Sequence, residues 1–143
     1  MSIAALITWI LAAGVGLFML IRWATRGGVR KVEGAGTHFH PARVFTHFGL
    51  AAAGLILWIV YLVTDNHLLA WIAFVDLLLI ALLGSLLVRI WTKDGRAAMA
   101  GTKAEVDLAE QHIPRPPVVL HGVFAISTVV LVFFAALGVG PGA

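Results

Sequence analysis

Residues 38–63 read HFHPARVFTHFGLAAAGLILWIVYLV, and residues 112–137 read HIPRPPVVLHGVFAISTVVLVFFAAL. Each stretch opens on a histidine, passes through proline and arginine, and reaches a second histidine after eight intervening residues. Each then stays apolar for roughly the 20 residues that a helix needs to cross the hydrocarbon of a bilayer. One constant offset pairs His38 with His112, Val44 with Val118, His47 with His121, Ala51 with Ala125 and Leu57 with Leu131. His47 and His121 fall just inside the N-terminal ends of the two apolar runs. Helices entering from the same side would carry these imidazoles at one depth.

The rest of the chain follows the same plan. Of 143 residues, 61% are hydrophobic and only 12% charged, and the mean hydropathy is +1.00. Soluble domains average nearer half apolar and a quarter charged. The excess lies in long blocks, which is the membrane signature. The expected fold class is all-α, a four-transmembrane-helix bundle forming a single integral membrane domain over residues 1–143. Its spans are placed at about 3–21, 44–63, 68–88 and 118–138. No basic residue precedes the first span and no small-residue cleavage site follows it, so it reads as a mature span rather than a signal peptide. The absence of cysteine excludes disulfides, thiolate metal sites and covalent c-type haem attachment.

Charge sets the expected orientation. The ten basic residues all fall in two connections: Arg22, Arg26, Arg30, Lys31 and Arg43 in the first, and Arg89, Lys93, Arg96, Lys103 and Arg115 in the second. The short turn at 64–67 and both termini have none. The positive-inside rule places loops 22–43 and 89–117 in the cytoplasm and both termini outside. The pI near 10.0 then reflects topology, and no nucleic-acid partner is expected. Trp23 and Trp91 mark the inner interface and Trp71 the outer one. Gly27, Gly28, Gly34 and Gly36 break the first loop, and Pro114, Pro116 and Pro117 end the second. One amphipathic surface helix is expected over residues 97–111, and neither loop is long enough for a soluble domain.

The chain reads as a two-helix hairpin used twice. Leu20-Ile21-Arg22 resembles Leu87-Val88-Arg89, and Thr25-Arg26 resembles Thr92-Lys93. The expected architecture is two tandem hairpins related by a pseudo-two-fold axis along the membrane normal. His47 and His121 would then face each other inside the bundle, where cofactor sites are commonly built.

Residues one and two turns on share a helix face. From His47 that face carries Ala51 and Gly54, and from His121 it carries Ala125 and Thr128. Small side chains there give clearance for a flat macrocycle beside its axial ligands. Neutral imidazole ligates haem iron, and a chain without cysteine would hold haem b non-covalently. Arg22, Arg43, Arg89 and Arg115 lie at the same membrane face as partners for propionates. The same features also have plain roles. Small faces occur wherever membrane helices pack closely, and a histidine near a span's end also serves as an interhelical hydrogen-bonding group.

A transition metal is the alternative ligand, with His38, His47, His112 and His121 suited to a tetrahedral zinc or copper ion. His38 and His112 otherwise read as interfacial groups supporting the site. His40 reads as a solvated loop residue, and His67 belongs to the other side. Asp76 is the one carboxylate within a span, roughly 12 Å from the outer end of its helix at 1.5 Å per residue. An ionisable residue at that depth is a functional candidate. Thr8, Trp9 and Trp58 are its expected hydrogen-bonding neighbours, and proton transfer or quinone binding its sharper roles.

His47 and His121 on parallel spans, the small residues beyond them and the arginines at one face together resemble small four-helix membrane b-type cytochromes, in the broad style of the cytochrome b561 group. That resemblance implies haem b, and the lack of histidines at the outer span ends, loop His67 apart, limits it to one haem near the inner face. The strings at 112–122 and 58–62 are also similar to small four-span membrane proteins of actinobacteria, which implies a bacterial plasma-membrane location. Three functions follow as expectations. The first is an electron carrier, neither hydrolase nor transferase, exchanging electrons with a quinone or a membrane redox partner. The second is a non-catalytic accessory or assembly subunit in a homo- or hetero-oligomer. The third is a small proton- or metal-linked transporter using Asp76 and the histidines.

Overall fold

The computed structural model describes residues 1–29, 35–101 and 107–139. Arg30, Lys31, Gly34 and Lys103 lie outside the described residues. Four helices form the protein: α1 (Ser2–Trp23), α2 (Pro41–Thr64), α3 (His67–Met99) and α4 (Arg115–Ala136). All four are long and apolar enough to cross a membrane, and they pack as a bundle. α1 lies chiefly against α4, and α2 against α3, with α3–α4 and α1–α2 completing the square.

The helix limits follow from local chemistry. α2 and α4 both start with proline in the first helical turn, where the missing N–H and the fixed φ favour helix entry. α1 ends in a π-turn over Ala24–Gly28 in which Gly27 takes a φ of +99°, a conformation open to glycine at little cost. Asp65 turns the chain between α2 and α3 with φ +52°, and the Asn66 side chain accepts the Leu68 N–H at 3.0 Å to cap α3. α4 closes on Gly138, whose N–H donates to Ala135 O while the Val139 N–H donates to Phe134 O. This paired arrangement satisfies the carbonyls left over at a helix end.

The packing repeats between the two halves. Three buried positions of α1, Ser2, Ala5 and Trp9, match three of α3, Ala70, Ala73 and Leu77, under one constant shift. The buried Gly54, Trp58 and Tyr61 of α2 match Thr128, Val132 and Ala135 of α4 under the shift that pairs His47 with His121. Spacings of three and four residues make each set one helix face. The first-helix shift is one residue longer than the one joining Leu20-Ile21-Arg22 to Leu87-Val88-Arg89. The inward faces set the packing register, whereas the basic residues at the span ends are free of it. Small residues such as Ala5, Ala70 and Ala73, fully buried, let the backbones approach closely. The opposite faces are exposed and apolar, with Ile3, Ile7, Ile56, Leu82, Val119 and Ile126 among them. This is the arrangement of a chain solvated by lipid.

The two long connections fold together over one end of the bundle. α3 runs 33 residues, well past the apolar segment, and carries Asp94 into this region. The described parts of the surface helix expected over 97–111 take other forms, and residues 102–106 lie outside the described residues. Residues 97–99 complete α3, and Asp107–Leu108 make a short parallel pairing with Ala35–Gly36. A single 3₁₀ turn follows over Ala109–His112. Trp23, Phe39, Val44, Ala109 and Ile113 bury their side chains together under this cap. Burial of these groups against the bundle end favours a folded-back loop over a helix lying on the surface.

Candidate functional site

α2 and α4 bring His47 and His121 together across the bundle. Their ring centroids are 6.2 Å apart and their planes cross at 60°. His47 Nδ1–H donates to the Ile80 carbonyl of α3 at 3.0 Å. His121 Nδ1–H donates to the Ala12 carbonyl of α1 at 2.9 Å. Ala12 and Ile80 are equivalent under the packing register, so the two histidines make the same bond in the two halves. Each bond fixes the tautomer and leaves Nε2 with its lone pair.

Glycine makes room for each ring. A Cβ at Gly84 would lie 3.1 Å from His47 Cε1, and one at Gly16 would lie 3.1 Å from His121 Cε1. Gly16 and Gly84 are again register equivalents. The sequence reading overlooked both. Their signal was available only once α1 and α3 were aligned by their buried positions rather than by their arginines.

The small faces beyond the histidines are partly occupied. Ala51 and Ala125, one turn on, are half-buried. A Cβ at Gly54 would collide with Asp76 Oδ2 and with the Trp9 ring, so α3 and α1 already fill that space. Thr128 is buried and donates its hydroxyl to Thr8 Oγ1 at 2.9 Å or to Phe124 O at 2.8 Å. Clearance beside the imidazoles therefore reduces to the Ala51–Ala125 level.

Asp76 and Thr8 occupy equivalent positions, as do Gly54 and Thr128. The α1–α4 contact thus carries a threonine pair, and the α2–α3 contact a carboxylate seated over a glycine. Asp76 Oδ2 is buried and has no hydrogen-bond partner. The expected bonds to Thr8, Trp9 or Trp58 are not made, because Thr8 is committed to Ala5 O and Thr128, and Trp58 Nε1–H donates to Ser2 O. Trp9 meets the Asp76–Gly54 contact with its ring carbons.

The remaining histidines and arginines have separate partners. His38 Nδ1–H donates to Asp94 Oδ1 at 3.0 Å, and His112 Nε2–H to Asp107 Oδ2 at 2.9 Å. His38 and His112 do not join His47 and His121 in one cluster, because each has a nearer carboxylate in the cap. His40 is exposed and precedes α2, and His67 opens α3 with its ring 6.1 Å from Tyr61. Arg22 donates twice to His112 O at 3.3 Å, and Arg115 contacts Met99 Sδ at 3.5 Å. Arg89 lines an open groove with Lys93 and Arg96. Arg43 sits in the first turn of α2, half-buried.

Asp94 and Glu110, both buried, were not singled out from the sequence. Each lies in a polar connection where a carboxylate ordinarily reads as solvated. Their role appears only when the two connections close over each other.

No family model matches the chain, and neither the curated proteins nor the solved structures contain a match to it. The protein is a four-span, four-helix bundle with a symmetric pair of imidazoles inside it, and no family is identified for it.

Proposed function

We propose that the protein is an integral membrane electron-transfer protein holding one b-type haem between His47 and His121. The observation carrying this reading is the matched pair itself: two imidazoles at equivalent positions, each held by Nδ1 on a backbone carbonyl, with centroids 6.2 Å apart. His47 and His121 would hold the group through Nε2, which each Nδ1 bond leaves with its lone pair. Ala51 and Ala125 supply the matched small positions beside it. Haem would contribute a one-electron couple, and the chain would orient the imidazoles and exclude water.

By the positive-inside rule the loop cap would face the cytoplasm and the termini the outside, and the resemblance of residues 112–122 and 58–62 to actinobacterial membrane proteins supports a bacterial plasma membrane. A quinone or a membrane redox partner would exchange electrons with the centre. The test is the absorption spectrum of detergent-purified protein, oxidised and then reduced, from cells with adequate haem supply. Reduced b-type bands should be present in the wild type and vanish in His47→Ala and His121→Ala. A folded, colourless wild-type protein would sink the haem assignment.

The buried, unpartnered Oδ2 of Asp76 favours a second reading, proton-linked transport. Asp76→Asn in reconstituted vesicles should then abolish proton-coupled flux while sparing the haem bands. Unchanged flux would remove this reading.

A further inference from the structure

We propose that His38, Asp94 and Glu110 form a binding site for one divalent cation of the zinc–manganese class, separate from the imidazole pair. The three residues come from three segments: the lead-in to α2, the extension of α3, and the 3₁₀ turn before α4. One ligand atom from each lies within 4.8 Å of the other two. No other group of three histidine or carboxylate ligands gathers this closely among the described residues.

The two carboxylates are arranged as ligands rather than as surface charges. Glu110 is 0% exposed. Its Oε2 accepts the Thr37 hydroxyl at 2.7 Å and its Oε1 accepts the His38 N–H at 2.6 Å. Thr37 is held in turn by the Trp23 indole N–H at 2.9 Å. These bonds fix the Glu110 carboxylate with Oε1 towards His38 Nδ1, 4.0 Å away. Asp94 is 8% exposed; its Oδ1 lies 3.0 Å from His38 Nδ1, and its Oδ2 is buried with no partner. A second lone-pair face of a buried carboxylate is thus left unused at the cluster.

Burying two neighbouring carboxylates is unfavourable unless a cation compensates them. No lysine or arginine lies within ion-pair distance of either among the described residues. A shared imidazolium proton supplies one positive charge at most, whereas a divalent ion would neutralise both carboxylates. Tetrahedral ligation at 2.0–2.1 Å separates neighbouring ligand atoms by about 3.3 Å. The nitrogen–oxygen distances of 3.0 and 4.0 Å bracket that figure, so small side-chain shifts suffice. One imidazole and two carboxylates suit zinc or manganese, and the lack of thiolate disfavours soft cuprous ion. The His38 side chain is 57% exposed, which provides an entry path and a position for water. With the ion in place, His38 would carry its ring proton on Nε2, exchanged through water at the exposed ring, and ligate through Nδ1, so that the cap is cross-linked to α3.

The experiment uses the full chain in detergent, stripped with a chelator and titrated separately with Zn²⁺ and Mn²⁺. Metal content after desalting and the thermal midpoint are read together. The wild type should retain one ion per chain and melt higher when loaded. Asp94→Asn keeps an acceptor for His38 but weakens ligation, and His38→Gln removes the imidazole. Each should bind at least tenfold more weakly while melting like the stripped wild type. Glu110→Gln serves as a third variant should either of these melt early without metal. Wild-type protein that takes up neither ion overturns the site, as does binding within threefold of wild type in the variants that fold.

Discussion

Gly84→Ala tests whether the imidazole seats are built to measure. The added Cβ would stand 3.1 Å from His47 Cε1, about 0.5 Å inside the usual carbon–carbon separation. The ring must retreat, and its bond to Ile80 O, now 3.0 Å, stretches towards the limit at which it ceases to count. Overpacking of this kind costs about 1–3 kcal/mol, and an interhelical hydrogen bond in a membrane about 0.6 kcal/mol. Alanine recovers up to about 1 kcal/mol through helix propensity. Gly14→Ala isolates the contact, because a Cβ there meets nothing within 4 Å while the propensity gain is the same. Reversible unfolding in mixed micelles should show Gly16→Ala less stable than Gly14→Ala by about 1–3 kcal/mol. Gly84→Ala should fall below Gly95→Ala, an equally open position on α3, by a similar amount. Equal stability of Gly16→Ala and Gly14→Ala, or a large loss at one histidine seat and none at the other, would refute the symmetric-seat reasoning.

Gly54→Ala should destabilise the bundle by about 1–3 kcal/mol through collision with Asp76 and the Trp9 ring, and Gly54→Ala/Asp76→Ala should recover only the Asp76 share of it; unfolding of the two variants checks the coupling. Thr128→Val removes the hydroxyl shared with Thr8 and should cost about 0.6 kcal/mol, and a double-mutant cycle with Thr8→Val should show that the two losses are one interaction. Trp23→Phe frees Thr37 from the indole N–H. At about 0.5–1.5 kcal/mol for that bond, amide exchange at residues 35–39 and 107–112 should quicken roughly two- to tenfold, with the core of α2 unchanged.

Much of the fold could be read from the chain because lipid imposes a simple rule. A helix must satisfy its own backbone groups and present apolar side chains over its full crossing, so the four spans announce themselves by length. The pairing of His47 with His121 was legible for a related reason, since identical spacing at identical depth survives any helix rotation that brings both rings inward. The extension of α3 to Met99 was not legible, because its polar residues match a loop as well as a helix once the apolar run ends. The cap was hidden because long-range contacts create it: Glu110 is buried by Thr37 and His38, more than seventy positions earlier in the chain. Gly54 and Thr128 looked like clearance because small residues mark both an open slot and a tight contact. Only the neighbours Asp76 and Thr8 show which of the two applies.

The partnering of α1 with α4 and of α2 with α3 means that each hairpin finds its main contacts in the other hairpin. A lone hairpin with the same packing face would close on a second copy of itself, as a homodimer with the imidazoles facing across its axis. In such a dimer any change is made twice, and an acid at the position of Asp76 would bury two carboxylates. Carrying both hairpins in one chain lifts that constraint. It lets the α1–α4 contact hold the Thr8–Thr128 pair while the α2–α3 contact holds Asp76 over Gly54. The single intramembrane carboxylate is thus a feature that a fused chain can evolve and a symmetric dimer cannot.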